Sequence, residues 1–199
     1  MAPKFIFMRH GEAEHNVAFH EVGQSAFTDP KYQDAVLTKK GIEQAREAAK
    51  KLIHYKILDL WTSPLTRALQ TSEELFEELN INTMYMHDNL LERQGGGHVC
   101  NKRATKRVLE KRFFGFNTIF LPDFSTDWID RESETALVQR LRMFLLQLAD
   151  LYKDISEEKH ILIVGHGDAL ASLTGKSFQN AEFVVMTLEE LPRRLEISS

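Results

Sequence analysis

Two histidines in this sequence occupy equivalent places, each following a short apolar run and preceding a glycine. His10 follows the run 5–8, and His166 follows the run 160–164. In open α/β sheets ligands bind beyond the carboxyl ends of the strands, so two such histidines could face one pocket. A single histidine is more often structural than functional, and the repeated layout is what favours a site. An imidazole there can act as a nucleophile or transfer a proton near neutral pH.

Two arginines add positive charge near the same positions. Arg9 ends the first apolar run, where a buried cation needs an anionic partner or ligand. Arg67 falls in the first turn of a predicted helix, whose free N–H groups already favour anions. Taken alone, Arg67 could equally be a solvated helix residue or an anion-binding residue. Together with the two histidines, these arginines would form an anion site of phosphate size.

Short apolar runs predict the strands that position these residues, because they are too short for helices. The predicted strands are residues 5–8, 57–61, 83–86, 160–164, 183–188 and 194–197. Between the first run and residue 37 the sequence is polar, with turn signals, and an irregular segment is expected there.

Helical spacing of apolar residues predicts two helices in the first half of the chain. Thr38 is the expected N-cap of a helix over 42–53. Ser63 and Pro64 are expected to be the N-cap and first residue of the next helix, which runs to Leu79, because proline at that position loses no needed donor.

The second half of the chain repeats the alternation of helix and strand. A long helix over 137–151, capped by Ser133, and a short helix over 168–173 are predicted. The segment 93–130, which includes three consecutive glycines, shows no clear pattern. Strands alternating with helices predict an α/β fold, a three-layer α/β/α sandwich with a mostly parallel central sheet. The absence of repeats and linkers predicts a single domain over 1–199.

Composition excludes several classes of partner. The 199 residues carry a formal net charge of −4, so no global basic character indicates nucleic acid or a membrane surface. No apolar run approaches membrane-spanning length, and the first residues do not form a secretory signal. A single cysteine, Cys100, excludes an intramolecular disulfide and fits a reducing compartment. A cytoplasmic protein is therefore expected, with its oligomeric state left open. The anion site of phosphate size, rather than composition, is what predicts a small phosphorylated substrate or a phosphopeptide as its partner.

Other chemistries have weaker support. Residues 175–177 resemble the end of a phosphate-binding P-loop, but the required earlier glycine is Leu170. Cys100 lacks the arginine six positions later that a cysteine phosphatase needs, since that position is Lys106. No HExxH motif or Cys/His spacing indicates zinc, so we expect no metal ligand and no cofactor.

A basic segment follows the glycine-rich stretch. Its cations are Lys102, Arg103, Lys106, Arg107, Lys111 and Arg112. Such a run is more often a solvated helix face than a binding surface. The functional interpretation is a rim that attracts an anionic substrate, with Arg103 nearest the site.

The motifs resemble those of one family, the histidine phosphatase superfamily, also called the phosphoglycerate mutase-like family, in its larger branch 1. The matching pieces, in chain order, are Arg9-His10-Gly11-Glu12 with Asn16; Leu37-Thr38 with Gly41 and Gln44-Ala45; Ser63-Pro64-Leu65 with Arg67-Ala68 and Gln70-Thr71; Leu91-Glu92; and Gly165-His166-Gly167. The RHG signature alone is moderately specific. All five pieces in this order make chance resemblance very improbable.

The resemblance implies a role for each matching residue. His10 would be the nucleophile that becomes phosphorylated. Glu92 would donate a proton to the leaving group, and Asn16 would help to form the pocket. The phosphoryl oxygens would be held by Arg9, Arg67 and a protonated His166, next to Gly167. A eukaryote-type subgroup is similar over further pieces and usually has aspartate at the position of Asn101, so no role is transferred to Asn101.

Three functions are compatible with this resemblance. A phosphatase is favoured over a phosphoglycerate mutase, because the mutases in question are usually longer and the loop 94–98 is expected to be flexible and open to water. A catalytically inactive binding module is disfavoured, because every core position holds the expected residue. Substrate specificity is expected in the segments 18–36 and 93–130.

Overall fold

A computed structural model of the chain describes residues 3–123 and 131–192. The strands are β1 (Lys4–Arg9), β2 (Lys56–Thr62), β3 (Thr83–Met86), β4 (Phe116–Asn117), β5 (Lys159–Gly165) and β6 (Phe183–Met186). The helices are α1 (Glu14–Val22), α2 (Ser25–Thr28), α3 (Lys39–Leu52), α4 (Thr66–Glu78), α5 (Lys106–Arg112), α6 (Glu134–Leu151) and α7 (Gly167–Thr174). Short 3₁₀ turns cover Pro30–Tyr32, Asp88–Leu90, Val99–Asn101 and Leu188–Glu190. The predicted strand over 194–197 lies outside the described residues.

Within the described residues the strands form one six-stranded sheet in the order β4-β3-β2-β5-β1-β6. All neighbouring pairs are parallel except β1 with β6. In the β1–β5 pair Arg9 lies opposite Gly165, so the residues that follow them, His10 and His166, leave adjacent strands at the same edge. The pairing confirms the mostly parallel sheet and brings the two predicted histidines together.

Helices cover both faces of the sheet, as the period-two alternation of the strands requires. In β1, Ile6 and Met8 pack with α3 and α4, whereas Phe5 and Phe7 pack with α6 and α7. The result is the predicted three-layer α/β/α sandwich. Fully buried side chains on both faces of β1 and β5 make this central pair a rigid base for the residues that follow it.

The helix after β2 begins later than the sequence predicts. Its N-cap is Leu65 rather than Ser63, and its first residue is Thr66. The capping acceptor comes instead from Asp34, whose carboxylate accepts hydrogen bonds from the Thr66 amide (2.8 Å) and the Thr66 hydroxyl (2.7 Å). A distant carboxylate therefore replaces the local cap, which spacing alone could not reveal.

The segment before residue 37 is more ordered than expected. The sequence predicts an irregular stretch, but α1 and α2 form there. Only His15 and Ala18 of α1 are buried, so the helix lacks the apolar stripe from which helices are recognised. The predicted strand 183–188 is shorter than expected and ends at Met186.

None of the helices within residues 3–123 and 131–192 has both the length and the apolar character needed to span a bilayer.

Candidate active site

The ends of β1 and β5 place the two histidines side by side. The His10 amide donates to the Gly165 carbonyl (3.0 Å), and the imidazole centroids of His10 and His166 are 5.0 Å apart. Both side chains are almost completely buried. This is the arrangement that the repeated sequence layout predicts.

Two hydrogen bonds fix the orientation and the tautomer of His10. Its Nδ1 lies 2.6 Å from the Gly11 carbonyl oxygen, which can only accept, so Nδ1 carries the proton. Its Nε2 lies 3.2 Å from Nε of Arg67, which can only donate, so Nε2 keeps its lone pair. The ring is therefore neutral, with its free nitrogen at the guanidinium of Arg67.

Burial and nearby cations keep both imidazoles neutral. The pKa of His10 is well below its ordinary value, first because of burial and then because of Arg67 and Arg9. The pKa of His166 is lowered for the same reasons. A lowered pKa favours the neutral form of His166 in the free protein, in which the ring can donate one N–H bond, whereas the family resemblance implies a protonated ring.

The guanidinium of Arg67 is held in place by neutral groups. Its Nη1 donates to the Cys100 carbonyl (2.7 Å), and its Nη2 donates to Oδ1 of Asn101 (2.9 Å). The amide of Asn101 in turn donates to the Arg93 carbonyl (3.0 Å). No carboxylate bonds to this fully buried arginine among the described residues, so its charge remains available to an anion.

Arg9 supplies the second cation. Its Nη1 donates to the Phe178 carbonyl (2.8 Å), and its guanidinium passes beside Gly167, where an added Cβ would meet Cζ at 3.6 Å. Asn16 lines the same cavity and accepts the Ala13 amide (3.0 Å) at the start of α1. These contacts place three of the predicted binding residues around His10.

The carboxylate of Glu92 lies against the first turn of α7. It accepts backbone N–H bonds from Arg93 (2.8 Å), Asp168 (3.1 Å) and Ala169 (3.0 Å). Those bonds favour the charged form, but burial and then the Asp168 carboxylate outweigh them and raise the pKa of Glu92. A carboxyl group with a raised pKa is suited to give up a proton during a reaction.

The loop that carries His10 is fixed by backbone contacts. A Cβ on Gly11 would lie 2.3 Å from the Gly41 carbonyl oxygen, and a Cβ on Gly41 would lie 2.0 Å from the Glu12 carbonyl oxygen. The Gly11 amide also donates to the Thr71 hydroxyl (3.0 Å). The end of β1 and the start of α3 therefore touch where no side chain fits.

These residues surround one cavity of about 590 Å³. It is lined by Arg9, His10, His15, Asn16, Phe19, Gln24, Phe27, Arg67, Glu92, Arg93, Gln94, Gly95, Gly96, His98, Cys100, Asn101, Arg131, Gly167, Asp168, Ala171, Ser177 and Phe178. His166 is not among the lining residues; its fully buried ring lies beside that of His10, with 5.0 Å between the centroids.

Arg103, like His166, is a predicted binding residue that does not line this cavity. Its guanidinium forms a buried two-point ion pair with Asp88 (2.7 and 2.9 Å) and also donates to the Pro122 carbonyl (3.2 Å). The sequence analysis placed Arg103 on a rim that attracts an anionic substrate, whereas its side chain lies in the interior beside the Asp88–Leu90 turn.

A sequence model described as the histidine phosphatase superfamily, branch 1, matches residues 5–183. The chain belongs to this superfamily. The match confirms the resemblance derived from the RHG and GHG segments.

Named relatives of this superfamily chain include both phosphatases and mutases. A probable phosphatase of Schizosaccharomyces pombe is 28% identical over 165 residues, which are 81% of this chain and 52% of the relative. A 2,3-bisphosphoglycerate-dependent phosphoglycerate mutase of Histophilus somni is 38% identical over 79 residues, which are 39% of this chain and 31% of the relative. The chain thus spans about half the length of the first relative and about a third of the second.

A solved structure of a mycobacterial glucosyl-3-phosphoglycerate phosphatase has the same fold. The TM-score is 0.66 at 19% identity, covering 96% of this chain and 95% of that chain. At this identity the likeness concerns the fold of the histidine phosphatase superfamily.

Several cavity residues of this superfamily member were not singled out from sequence. Asp168 follows the GHG segment directly, so its place at the cavity could have been inferred from Gly167. Phe19, Phe27 and Arg131 carry no motif, and only the tertiary fold brings them to the site.

Proposed function

We propose that this chain is a metal-independent phosphatase that hydrolyses a phosphomonoester through a phosphohistidine on His10, with Glu92 as the proton donor. The observation that carries the proposal is the pair of hydrogen bonds to His10. Gly11 accepts from Nδ1, and Arg67 donates to Nε2. They hold a neutral imidazole with its lone pair at a cationic group, where a phosphate dianion would bind.

In the first half-reaction, the Nε2 lone pair of His10 forms a bond to phosphorus as the ester P–O bond breaks. Arg67 shifts its Nε–H from the imidazole to a phosphoryl oxygen, and Arg9 binds another oxygen. His166 donates its one N–H to an oxygen of the same phosphoryl group. Glu92 transfers its proton to the leaving oxygen, which departs as a neutral alcohol.

In the second half-reaction, the carboxylate of Glu92 takes a proton from water. The resulting hydroxide forms a bond to phosphorus as the N–P bond breaks, and the electron pair of that bond returns to Nε2. Inorganic phosphate leaves, Glu92 is protonated again, and His10 regains its starting state. The cations Arg9 and Arg67 carry out the charge neutralisation, so no step uses a metal.

Trapping the intermediate tests this proposal. Rapid acid-free quenching with labelled substrate should give an acid-labile, base-stable phosphoenzyme in the wild type and none in His10→Ala. His10→Ala should also lose several orders of magnitude in rate. His54→Ala changes an exposed histidine outside the cavity and serves as the matched control. Label retained at the wild-type level in His10→Ala would refute the nucleophile assignment.

Phosphoglycerate mutase activity is the second candidate, and two observations favour it. The local similarity to mutases is one. The other is the start of the loop 94–98, where Gln94 exchanges two hydrogen bonds with Glu132 (both 2.9 Å) that would help to hold the loop over the cavity. Fast interconversion of 3- and 2-phosphoglycerate, primed with the bisphosphate and releasing negligible phosphate, would establish the mutase and leave the role of His10 unchanged.

An inactive phospho-ligand binding module is the third candidate. It requires a protein that binds phosphate but forms no phosphoenzyme and hydrolyses none of a panel of phosphorylated metabolites, phosphopeptides and aryl phosphates.

A further inference from the structure

The cavity is much larger than the phosphoryl group that its cationic end would hold. A volume of about 590 Å³ falls in the range of sites that enclose an organic ligand. The cations Arg9 and Arg67 occupy one end, beside His10. The other walls therefore face whatever is esterified to the phosphate.

One of those walls is built from aromatic rings. The rings of Phe19 and Phe27 are stacked, with centroids 5.1 Å apart and planes within 4°. The ring of His98 lies 5.1 Å from that of Phe27, and the ring of His15 lies 6.0 Å from it. All four residues line the cavity. We call Phe19, Phe27, His98 and His15 the aromatic wall.

The aromatic wall is continuous with the catalytic end. The His15 ring lies 6.2 Å from that of His10, so the rings run from the nucleophile outward. Burial, Arg67 and Arg9 lower the pKa of His15 to about 2, so this part of the wall is uncharged. A substrate whose phosphate lies at His10 would have its alcohol portion against these rings.

The two phenylalanines lie outside the hydrophobic core of the fold. Neither belongs to the two core clusters that cover the faces of the sheet, and Phe19 is 37% exposed. They come from the segment 18–36, and His98 comes from 93–130, which are the two stretches where specificity is expected. Partly exposed, mutually stacked rings inside a cavity are typical of a platform for a flat ligand.

We propose, resting on the phosphatase function above, that the substrate is the phosphomonoester of an alcohol with a planar, apolar or aromatic body that stacks on Phe19 and Phe27. The competing occupant is a small anionic alcohol portion, which would use Arg131 on the cavity rim. The paired rings favour the planar body, because a carboxylate gains nothing from a neutral aromatic surface.

Binding of inert phosphonates tests the wall without requiring hydrolysis. The probes are 2-naphthylmethylphosphonate and ethylphosphonate, which share the anionic group and differ in the attached body. The wild type should bind the naphthyl compound at least about tenfold more tightly, a factor within the range for one stacked aromatic group. Phe19→Ala and Phe27→Ala should each remove most of that ratio.

Three further variants keep the outcome clear. Phe114→Ala removes a phenyl group that is 91% exposed and outside the cavity, and it should leave the ratio unchanged. Phe19→Leu and Phe27→Leu keep apolar volume but lose the flat ring, so they test stacking even where the alanine variants fold poorly. A ratio near one in the wild type, or a ratio unaffected by all four cavity variants, would overturn the proposal.

Turnover of the matching phosphates separates this proposal from the proposed function. Both 2-naphthylmethyl phosphate and ethyl phosphate release a primary alcohol, so leaving-group chemistry does not bias their comparison. Tight naphthyl binding with no hydrolysis and no phosphohistidine would reject the phosphatase and keep the wall. Hydrolysis of both esters at equal kcat/KM would keep the phosphatase and reject the wall.

Discussion

Replacing Glu92 by glutamine removes the transferable proton and keeps the shape of the side chain. Oε1 of Glu92 accepts both the Arg93 and the Ala169 amides, and a glutamine oxygen can keep both bonds. Oε2 accepts the Asp168 amide (3.1 Å), and an NH₂ group there would face another donor. One backbone bond is lost, which costs about 1–3 kcal/mol. Folding stability of about 5–15 kcal/mol leaves the variant folded.

The effect on rate should depend on the leaving group. Loss of a positioned general acid costs about 10²- to 10⁴-fold, or about 2.7–5.4 kcal/mol in activation free energy. An alkoxide needs that proton to leave, so an alkyl ester should show the full loss. A nitrophenolate leaves with little help from a proton, so an aryl ester should lose less than about tenfold.

The assay compares benzyl phosphate with 4-nitrophenyl phosphate in wild type and Glu92→Gln. Both substrates carry one ring, so contact with the cavity is matched. The parameter is kcat/KM, because it reports steps up to formation of the phosphoenzyme, whereas kcat also contains the hydrolysis common to both esters. With benzyl phosphate, the wild-type kcat/KM should fall as pH rises through the raised pKa of Glu92, because only the protonated form can donate. Glu92→Gln should lack that fall, and ionisation of the substrate is the same in both proteins.

An equal loss for the two esters would refute the role of Glu92 as an acid and indicate a structural or binding role. Asp168→Asn is the matched comparison, because Asp168 is the other carboxylate among the described residues that line the cavity. Selective loss of benzyl phosphate hydrolysis in Asp168→Asn, with none in Glu92→Gln, would assign the proton to Asp168.

Three other predictions concern charge and capping. Hydrolysis should survive EDTA, because Arg9 and Arg67 supply the positive charge; loss of turnover that added divalent ion restores would show the opposite. Asn101→Asp should place a carboxylate beside Arg67, whose Nη2 now donates to Oδ1 of Asn101 at 2.9 Å. The variant should weaken competitive inhibition by inorganic phosphate on the order of tenfold. An unchanged inhibition constant would contradict the view that the charge of Arg67 is available to the substrate. Asp34→Ala should cost about 1 kcal/mol of stability in urea unfolding through loss of the α4 cap, with an unchanged midpoint speaking against that cap.

The parts of the fold that could be predicted are those specified by local pattern. β1 and β5 are short, apolar on both faces and followed by turn-forming glycines, so their place in a parallel sheet follows from sequence. The meeting of His10 and His166 follows in turn from adjacency of those strands. The N-cap of α3, Thr38, was also correct, and its hydroxyl accepts the Gly41 amide at 3.0 Å.

The parts that could not be predicted depend on contacts between distant residues. Asp34 caps a helix 32 residues away, so no window around Ser63 contains the deciding group. Arg103 pairs with Asp88, 15 residues earlier, and this ion pair turns it away from the cavity. The position of Phe19 and Phe27 depends on packing between α1 and α2, two elements without a helical apolar stripe.

The contact between Gly11 and Gly41 has a consequence for mutational tolerance. The nucleophile loop is held against α3 by main-chain atoms, at separations that leave no room for a Cβ. A single methyl group at either glycine cannot be absorbed by a change of rotamer, because the opposing atoms are backbone. These two positions should thus accept glycine and no other residue.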